Sequence, residues 1–487
     1  MKSKMFKKLM AAAIAATMTV SLAACNKTPE PTSEPSTAPV DSSDASSEES
    51  TEETQTGLTN ILTDENGNVY DLGGMEIIIR DWFSPSEPQE ARNAYEEAQQ
   101  EYREWIQETY NFKIKQIPIS EWANVPADFI EYAQTDPDEN NYIFVMRNDP
   151  SMINAMKNGL VYDLKTLDCL DFSEEKFQQN RVHELYTIGG HTYAMSAGLP
   201  EPRTGVYFNK RLLKDAGIDP NSIYDMQANG TWTWDALVDL MSKVHRDTDN
   251  DGKIDVFAAN CNNSMFPAAA VYSNGGEFIG KDASGKYVYK LDDPKTTEAL
   301  EWAVDVFNTY WQDDPADQAW DYYKDAFKNG EYVFMFEDAY AAQRGQYLFD
   351  ENDEFDDFGF VMFPKGPQAS DYTNCWTDNS YVIPSNYDAD RAWKIAFAWN
   401  LYTNEVPGYE DSDNWKNSYY DGFSDTRAVD ETLAMMKVKG MITYHDIIPG
   451  VEFGPQFIWN VGPGAVVSEK VEAIADTWKA YIDEANR

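Results

Sequence analysis

Basic residues, cysteine and histidine are scarce in this sequence of 487 residues. It has 39 lysines and arginines against 83 aspartates and glutamates, a formal net charge of −44, with four cysteines and four histidines. Binding to phosphates requires clustered basic side chains, so this composition excludes nucleic acid as a partner and argues against electrostatic docking onto anionic lipid. The few cysteines and histidines leave little material for a zinc framework.

Long apolar runs are also few, and the one at the N-terminus is typical of an export signal. Four lysines precede an apolar run over residues 9–20, and Leu22-Ala23-Ala24-Cys25 follows. The run is shorter than the roughly 20 residues of a transmembrane helix, whereas this pattern with a small-residue cleavage site predicts a secretory signal over residues 1–24. The four final residues resemble the lipobox of bacterial lipoproteins, which implies that Cys25 is lipidated; a plain signal peptide with a chance cysteine is the alternative.

Residues 26–57 contain proline, serine, threonine and acidic residues and almost nothing apolar. Such a segment cannot bury enough surface to offset its ordering entropy. We therefore predict that residues 25–57 form a disordered acidic tether between a lipid anchor at Cys25 and a globular body.

The body alternates strand and helix patterns, and its hydrophobic content of 42% is enough for sizeable cores. Short apolar runs at 75–79 and 142–146 and alternating apolar and polar residues at 112–117 predict strands, with a helical pattern between the first two. This order implies a parallel α/β sheet. Because ligands bind beyond the carboxyl ends of such strands, Asp81 and Trp82 lie near a candidate site.

A second unit begins near residue 206 with a strand and a short helix that ends before Gly217, a typical C-cap position. Thr233 is the predicted N-cap of the next helix. Further amphipathic helices are predicted over 295–311, 389–402 and 467–485.

Several segments, taken in order, resemble the extracellular solute-binding proteins of ABC importers, family 1, carbohydrate type. One departure is that Glu337-Asp338-Ala339-Tyr340 stands where the family often has Gly-Ser-Trp or Gly-Pro-Trp. The segments that carry the resemblance are the lipoprotein signal with its tether, the Val-Tyr-Phe-Asn-Lys-Arg-Leu-Leu-Lys-Asp-Ala-Gly-Ile stretch at 206–218, Thr-Trp-Thr-Trp-Asp at 231–235, the stretch 326–340, and 358–367 with its Pro-Lys-Gly-Pro turn.

The resemblance implies a periplasmic-binding-protein-like α/β fold, in which two α/β lobes are joined by a three-crossing hinge and enclose a ligand cleft. Closure of the lobes around the ligand would be a hinge motion. By position, the N-terminal lobe would comprise 58–200 plus 383–435, the C-terminal lobe 206–372 plus 440–487, and the crossings would fall near 201–205, 373–382 and 436–440.

A sugar offers flat C–H faces and many hydroxyls, so its binding site needs aromatic rings and planar polar groups. Trp122 is considered for this role but is not included in the predicted set, and Trp105, Trp399 and Trp478 lie on apolar helix faces and are predicted to be core residues. The predicted ligand-binding residues are Asp81, Trp82, Arg203, Asp338, Tyr340, Trp376, Asp378 and Trp459.

The loop at 247–255 resembles the start of an EF-hand calcium loop, with Gly252 at its sixth position. Its twelfth position is Ala258 instead of glutamate, so the set is incomplete, and an Asp/Asn/Gly-rich turn is the alternative. No cofactor is required, and any calcium would be structural. The tentative ligands are Asp247, Asp249, Asp251, Lys253 and Asp255.

We therefore expect a monomeric, lipid-anchored receptor on the extracytoplasmic face of the cell membrane. It would capture a carbohydrate, most simply an oligosaccharide, and deliver it to the transmembrane subunits of an ABC permease. The familiar hydrolase and nucleotide-binding motifs are missing from the sequence, which argues against an enzyme. The alternatives are a secreted glycosidase, a binder of another polar organic solute and a cell-surface adhesin. Cys169, Cys261 and Cys375 are expected to be reduced, buried thiols.

Overall fold

Two four-stranded sheets organise the computed structural model of the chain, which describes residues 61–148, 150–261, 264–312, 317–344, 346–348, 356–376, 379–410 and 413–487. The predicted signal, Cys25 and the whole of the predicted tether lie outside these residues. None of the described helices is long and apolar enough to cross a membrane. The strands of the two sheets are β1 (Met75–Asp81), β2 (Phe112–Pro118), β3 (Asn141–Met146), β4 (Thr204–Asn209), β5 (Phe257–Asn260), β6 (Tyr332–Asp338), β7 (Phe358–Met362) and β8 (Ser380–Val382).

The first sheet has the strand order β8-β3-β1-β2 and the second has the order β7-β4-β6-β5. In the first, β1 runs parallel to β2 and β3, while β8 runs antiparallel to β3. In the second, β5 and β6 are parallel, and β4 runs antiparallel to both β6 and β7. The predicted mixed α/β architecture with two sheets is thus confirmed.

Helices connect and cover these strands close to where the sequence predicts them. Thr233 accepts a hydrogen bond from the N–H of Ala236 as the predicted N-cap, and Gly217 has the left-handed conformation (φ +76°) that favours glycine. The α-helices are Ala94–Thr109, Val125–Ala133, Pro150–Lys157, Glu175–Gln178, Val182–Leu185, Lys210–Asp215, Asn221–Ala228, Trp234–Val244, Met265–Ser273, Pro294–Tyr310, Tyr322–Lys328, Ala389–Tyr402, Asn417–Tyr420, Ala434–Val438, Phe453–Gln456 and Val467–Ala485, with a π-helix at Ala428–Leu433. Short two-stranded pairs join Thr187–Ile188 to His191–Thr192 and Ile279–Lys281 to Tyr287–Tyr289.

Each sheet has its own hydrophobic core. Around the first sheet, Ile79 and Trp399 are completely buried, because the helix Ala389–Tyr402 packs against it. Around the second sheet, Tyr207 and Trp478 are buried in a larger cluster. Trp399 and Trp478 are therefore core residues, as predicted.

The segment from 419 to 435 corrects one predicted boundary, since we assigned it to the N-terminal lobe. Its apolar side chains are buried in the core of the second sheet. The hydroxyl of Thr432 donates to the carbonyl of Phe360 in β7 and accepts from the amide of Gln227. The physical reason is that this helical stripe covers the second sheet, so the chain returns to the second core before residue 419.

The cysteines of the body form no disulfide with one another. Cys261 is buried, as predicted, whereas Cys169 and Cys375 are only partly buried.

Candidate ligand-binding site

Each sheet ends in a carboxyl edge. β1, β2 and β3 run parallel, so they end at one edge of the first sheet, and β8 begins there because Ser380 pairs with Met146. In the second sheet, β5, β6 and β7 end at one edge, and β4 begins there because Thr204 pairs with Asp338. Ligands bind at such edges in open α/β sheets.

Three chain segments pair beside both carboxyl edges, and we call them the hinge segments. Pro202 pairs with Trp376, and the short strand Asn374–Cys375 pairs with Gly440–Met441. β4 begins two residues after Pro202 and β8 begins four residues after Trp376. The two carboxyl edges therefore border the same joint, and the space between them is the candidate ligand-binding site.

Side chains of the central hinge segment hold the three segments together. The amide N–H groups of Asn374 donate to the carbonyls of Met436 (2.9 Å) and Lys439 (2.7 Å), and its oxygen accepts from the backbone N–H of Arg203 (3.4 Å). The indole N–H of Trp376 donates to the carbonyl of Met436 (3.0 Å). Trp376, which we predicted to contact the ligand, thus uses its polar atom within the hinge.

Asp81 also differs from its predicted role as a ligand contact. Its side chain is completely buried. One carboxylate oxygen accepts from the hydroxyl of Ser84 (2.8 Å) and the other from the amide of Gln116 (2.6 Å). Because both oxygens are occupied inside the lobe, Asp81 positions the loop that begins with Trp82 and does not reach the ligand space.

Trp82 lies directly beyond β1, partly buried between the two hydrophobic clusters of the first lobe. Its ring meets that of Phe83 edge-on, with 5.4 Å between centroids. Trp122 and Arg147 follow β2 and β3 at the same edge. The first carboxyl edge thus presents aromatic rings and one guanidinium.

At the second carboxyl edge the structure brings Arg203 and Asp338 together. An Arg203 guanidinium nitrogen lies 3.8 Å from one Asp338 oxygen, and the other oxygen accepts from the hydroxyl of Thr204 (3.0 Å). The two charged side chains are only 20% and 15% exposed. Burial raises the pKa of Asp338 from 3.8 to about 6, although the Arg203 charge acts in the opposite direction.

Tyrosines surround a buried carboxylate next to this pair. Glu337 accepts hydrogen bonds from the hydroxyl of Tyr323 and from the backbone N–H of Asp338. Burial, with the charges of Glu337 and Asp338, raises the pKa of Tyr340, a predicted site residue that is half-buried here. Sequence reasoning did not assign Glu337 and Tyr323 to the site. The signal that could have found Glu337 is that two acidic residues, Glu337 and Asp338, directly follow the apolar run of β6.

Trp459 lies in the C-terminal segment, and the structure does not describe Asp378. Trp459 lies on the short turn Ile458–Asn460, is 64% exposed, and its ring lies close to Gly454 in its own C-terminal segment. Asp378 lies outside the described residues. Their roles in ligand binding stay predictions.

The acidic loop at 247–255 forms a turn with its carboxylates clustered. One oxygen each from Asp247, Asp249 and Asp255 lies within 4.8 Å of the others. Asp247 accepts from the backbone N–H groups of Asn250 and Gly252, which is a contact that a plain turn also makes. Asp251 and Lys253 are exposed at the same turn. Calcium binding here stays a prediction.

If calcium binds, isothermal titration of EDTA-stripped protein should detect one site, and Asp247→Asn should weaken it because a charged ligand is lost. Lys253→Ala is the matched control, since only its backbone carbonyl would coordinate the ion. The absence of heat at millimolar calcium would contradict the prediction.

The sequence was compared with a family model and with curated proteins. Residues 190–406 match the model of the bacterial extracellular solute-binding proteins. A comparison with the curated proteins returns no match.

Solved structures share the fold at low sequence identity. The cyclic α-maltosyl-1,6-maltose binding protein from Arthrobacter globiformis is 14% identical with a TM-score of 0.59, over 85% of this chain and all of that one. The GacH receptor of Streptomyces glaucescens is 16% identical (TM-score 0.53, 84% and 99% covered). UgpB from Mycobacterium tuberculosis is 16% identical (TM-score 0.54, 85% and 99% covered).

These likenesses agree with the architecture of two sheets whose carboxyl edges meet at one joint. The family captures solutes and carries out no reaction on them, which is the class that the sequence predicts. Residues 190–406, somewhat less than half of the chain, are thus similar to the bacterial extracellular solute-binding proteins.

Proposed function

We propose that this chain is the substrate-binding lipoprotein of an ABC importer and that its cargo is a carbohydrate, most simply an oligosaccharide. The observation that carries the proposal is the pair of carboxyl edges at one joint. One edge has the exposed ring of Trp122 and the partly buried ring of Trp82, and the other has carboxylates, a guanidinium and tyrosines. Rings and planar polar groups are what sugar faces and paired hydroxyls require.

Capture would occur by closure of the two lobes about the hinge segments. Contacts made by both lobes exist only in the closed state, so the cargo would shift the equilibrium toward closure. A monomer attached through a lipid on Cys25, at the outer face of the cell membrane, would then present the cargo to the transmembrane subunits of the permease.

The solved relatives support a sugar and keep one alternative open. The Arthrobacter protein is named for a cyclic maltose-derived sugar, and the Streptomyces receptor is described in complex with acarbose. The mycobacterial protein is described in complex with glycerophosphocholine. Another polar organic solute is therefore the second candidate, and a glycosidase is not favoured in a family of binding proteins.

A thermal-shift screen of the mature protein tests the proposal. The panel should include mono- and oligosaccharides, with glycerophosphocholine as the non-sugar arm. A saccharide that raises the melting temperature, with no reducing ends released on incubation, supports a binder, because ligands stabilise the state that binds them. A shift with glycerophosphocholine alone would contradict a carbohydrate cargo.

Single substitutions of three predicted aromatic residues test the site. Trp82→Ala, Tyr340→Ala and Trp459→Ala should each weaken binding of the saccharide found in the screen by about 1–3 kcal/mol in titration calorimetry, if each ring stacks on it. Trp393→Ala is the control, because Trp393 packs on Tyr70, which precedes β1 and so lies away from the carboxyl edge. Unchanged affinity in all three variants would contradict the site assignment.

A further inference from the structure

Trp122 is a large aromatic residue whose side chain is exposed to solvent at the first carboxyl edge. Its side chain is 57% exposed, in the loop between β2 and the helix Val125–Ala133. The guanidinium carbon of Arg147, just after β3, lies 4.1 Å from the centre of the Trp122 ring system. One face of the indole is thus covered by a planar cation, so the exposed surface comes from the rest of the ring.

The loop that carries Trp122 is tied to the end of β1 and to the start of the helix Val125–Ala133. The backbone N–H of Ser120 donates to the carbonyl of Asp81 (3.1 Å), and its hydroxyl accepts from the Arg80 guanidinium (2.8 Å). The N–H of Val125 donates to the carbonyl of Glu121 (3.1 Å). The exposure of Trp122 is therefore a property of an ordered loop.

The pair of Trp122 and Arg147 spans the end of the central strand. β1 lies between β2 and β3, so a contact between the residues that follow β2 and β3 crosses over the point where β1 ends and Trp82 begins. This point borders the ligand space described above. Trp122 and Trp82 thus lie beyond the same edge of the first sheet.

Stacking on a guanidinium limits the orientations of an exposed indole. A cation over an aromatic face contributes modest attraction at exposed sites, and the planar guanidinium stacks on rings in a way that an ammonium does not. An indole already fixed in one orientation loses less conformational freedom when a ligand binds.

We propose that Trp122 is the stacking surface of the first lobe for the flat C–H face of a sugar ring, and that Arg147 is a positioning residue that holds the indole from its other face. This inference rests on the proposed carbohydrate cargo. It adds a residue that the sequence pattern did not include in the site.

The test uses the saccharide that raises the melting temperature of the wild-type protein most in the screen, and titration calorimetry on the mature chain. We expect Trp122→Ala to raise Kd about 10- to 100-fold and Trp122→Phe to recover part of this loss, because a smaller ring still stacks. Trp393→Phe, a tryptophan away from the carboxyl edge, should leave Kd unchanged. The melting temperature of each free variant reports separately on folding.

Arg147→Lys separates positioning from direct contact. It should raise Kd several-fold in the wild-type background and have no further effect in Trp122→Ala, because its influence passes through the indole. A full Arg147 effect that persists in Trp122→Ala would overturn the positioning role. A Kd unchanged by Trp122→Ala would overturn the stacking role while leaving the proposed function standing, whereas a wild-type protein that binds no saccharide would contradict both.

Discussion

Replacing Gly440 by alanine should destabilise the protein by about 2–4 kcal/mol and weaken its affinity for cargo. A Cβ at this position would lie 2.0 Å from the indole nitrogen of Trp376. The φ angle of Gly440 is not positive, so the cost comes from space and not from backbone strain. To make room, the indole must move and give up its hydrogen bond to Met436, which is one of the hydrogen bonds that join the hinge segments.

Urea unfolding of the mature protein measures the loss of stability, and calorimetry with the screened saccharide measures the loss of affinity. Gly462→Ala is the matched control, because no atom lies within 4 Å of the added methyl group and its φ is not positive. A Gly440→Ala protein within about 0.5 kcal/mol of wild type, the range of ordinary surface substitutions, would show that the hinge tolerates a displaced indole.

Replacing Arg203 by glutamine should destabilise the protein by about 2–3 kcal/mol at pH 8 and by much less at pH 4. Removing one partner of a buried ion pair leaves the other charge unpaired at a cost of about 3–5 kcal/mol, and the partial exposure of Arg203 and Asp338 reduces that figure. The Arg203 charge opposes the rise in the pKa of Asp338 caused by burial. Its removal therefore raises that pKa further.

The sign of the pH dependence follows from the raised pKa. The folded protein holds a proton on Asp338 more tightly than the unfolded chain does, so this group favours folding below pH 4 and loses that contribution as the pH rises through its folded pKa, about 6 in the wild type. In Arg203→Gln the folded pKa of Asp338 is higher than in the wild type. The stabilising free energy from this group is therefore lost over a range that extends to higher pH, and the total loss is larger. The difference in unfolding free energy between wild type and variant should therefore grow from pH 4 to pH 8.

Two variants check this explanation. Asp338→Asn combined with Arg203→Gln should restore most of the stability at pH 8, because no unpaired charge remains. Arg211→Gln is the control, since its ion pairs with Asp215 and Asp356 are more exposed and such surface pairs contribute about 0–1 kcal/mol. An Arg203→Gln defect that does not depend on pH would contradict the role of Asp338.

Much of the fold could be predicted from local patterns in the sequence. The helices near 295–311, 389–402 and 467–485 begin and end within one residue of their predicted bounds. Thr233 and Gly217 cap their helices as predicted. These features depend on residues within a few positions of one another, which is why periodicity and capping rules find them.

Whether a predicted site residue could be assigned correctly depends on how far along the chain its partners lie. Arg203 and Asp338 meet because Arg203 precedes β4, Asp338 ends β6, and the two strands pair at that point. The family resemblance indicated both residues, whereas the strand order of this sheet was not predicted. Asp81 sits at the right edge, but its oxygens are used by Gln116 and Ser84, and no local pattern shows which polar partners a carboxylate will find after folding. Trp122 shows the opposite error, since only the contact with Arg147 distinguishes it from an ordinary surface residue.

By itself, the sequence determined the α/β class, the order of strands and helices, the family resemblance and an acidic chain poor in basic residues. The tertiary structure alone decided that Trp376 belongs to the hinge, that the segment from 419 to 435 covers the second sheet, and that an indole is stacked on a guanidinium at the first edge. The physical reason is distance along the chain. Pairings such as Pro202 with Trp376 join residues far apart in sequence, and only the packing of both lobes selects them.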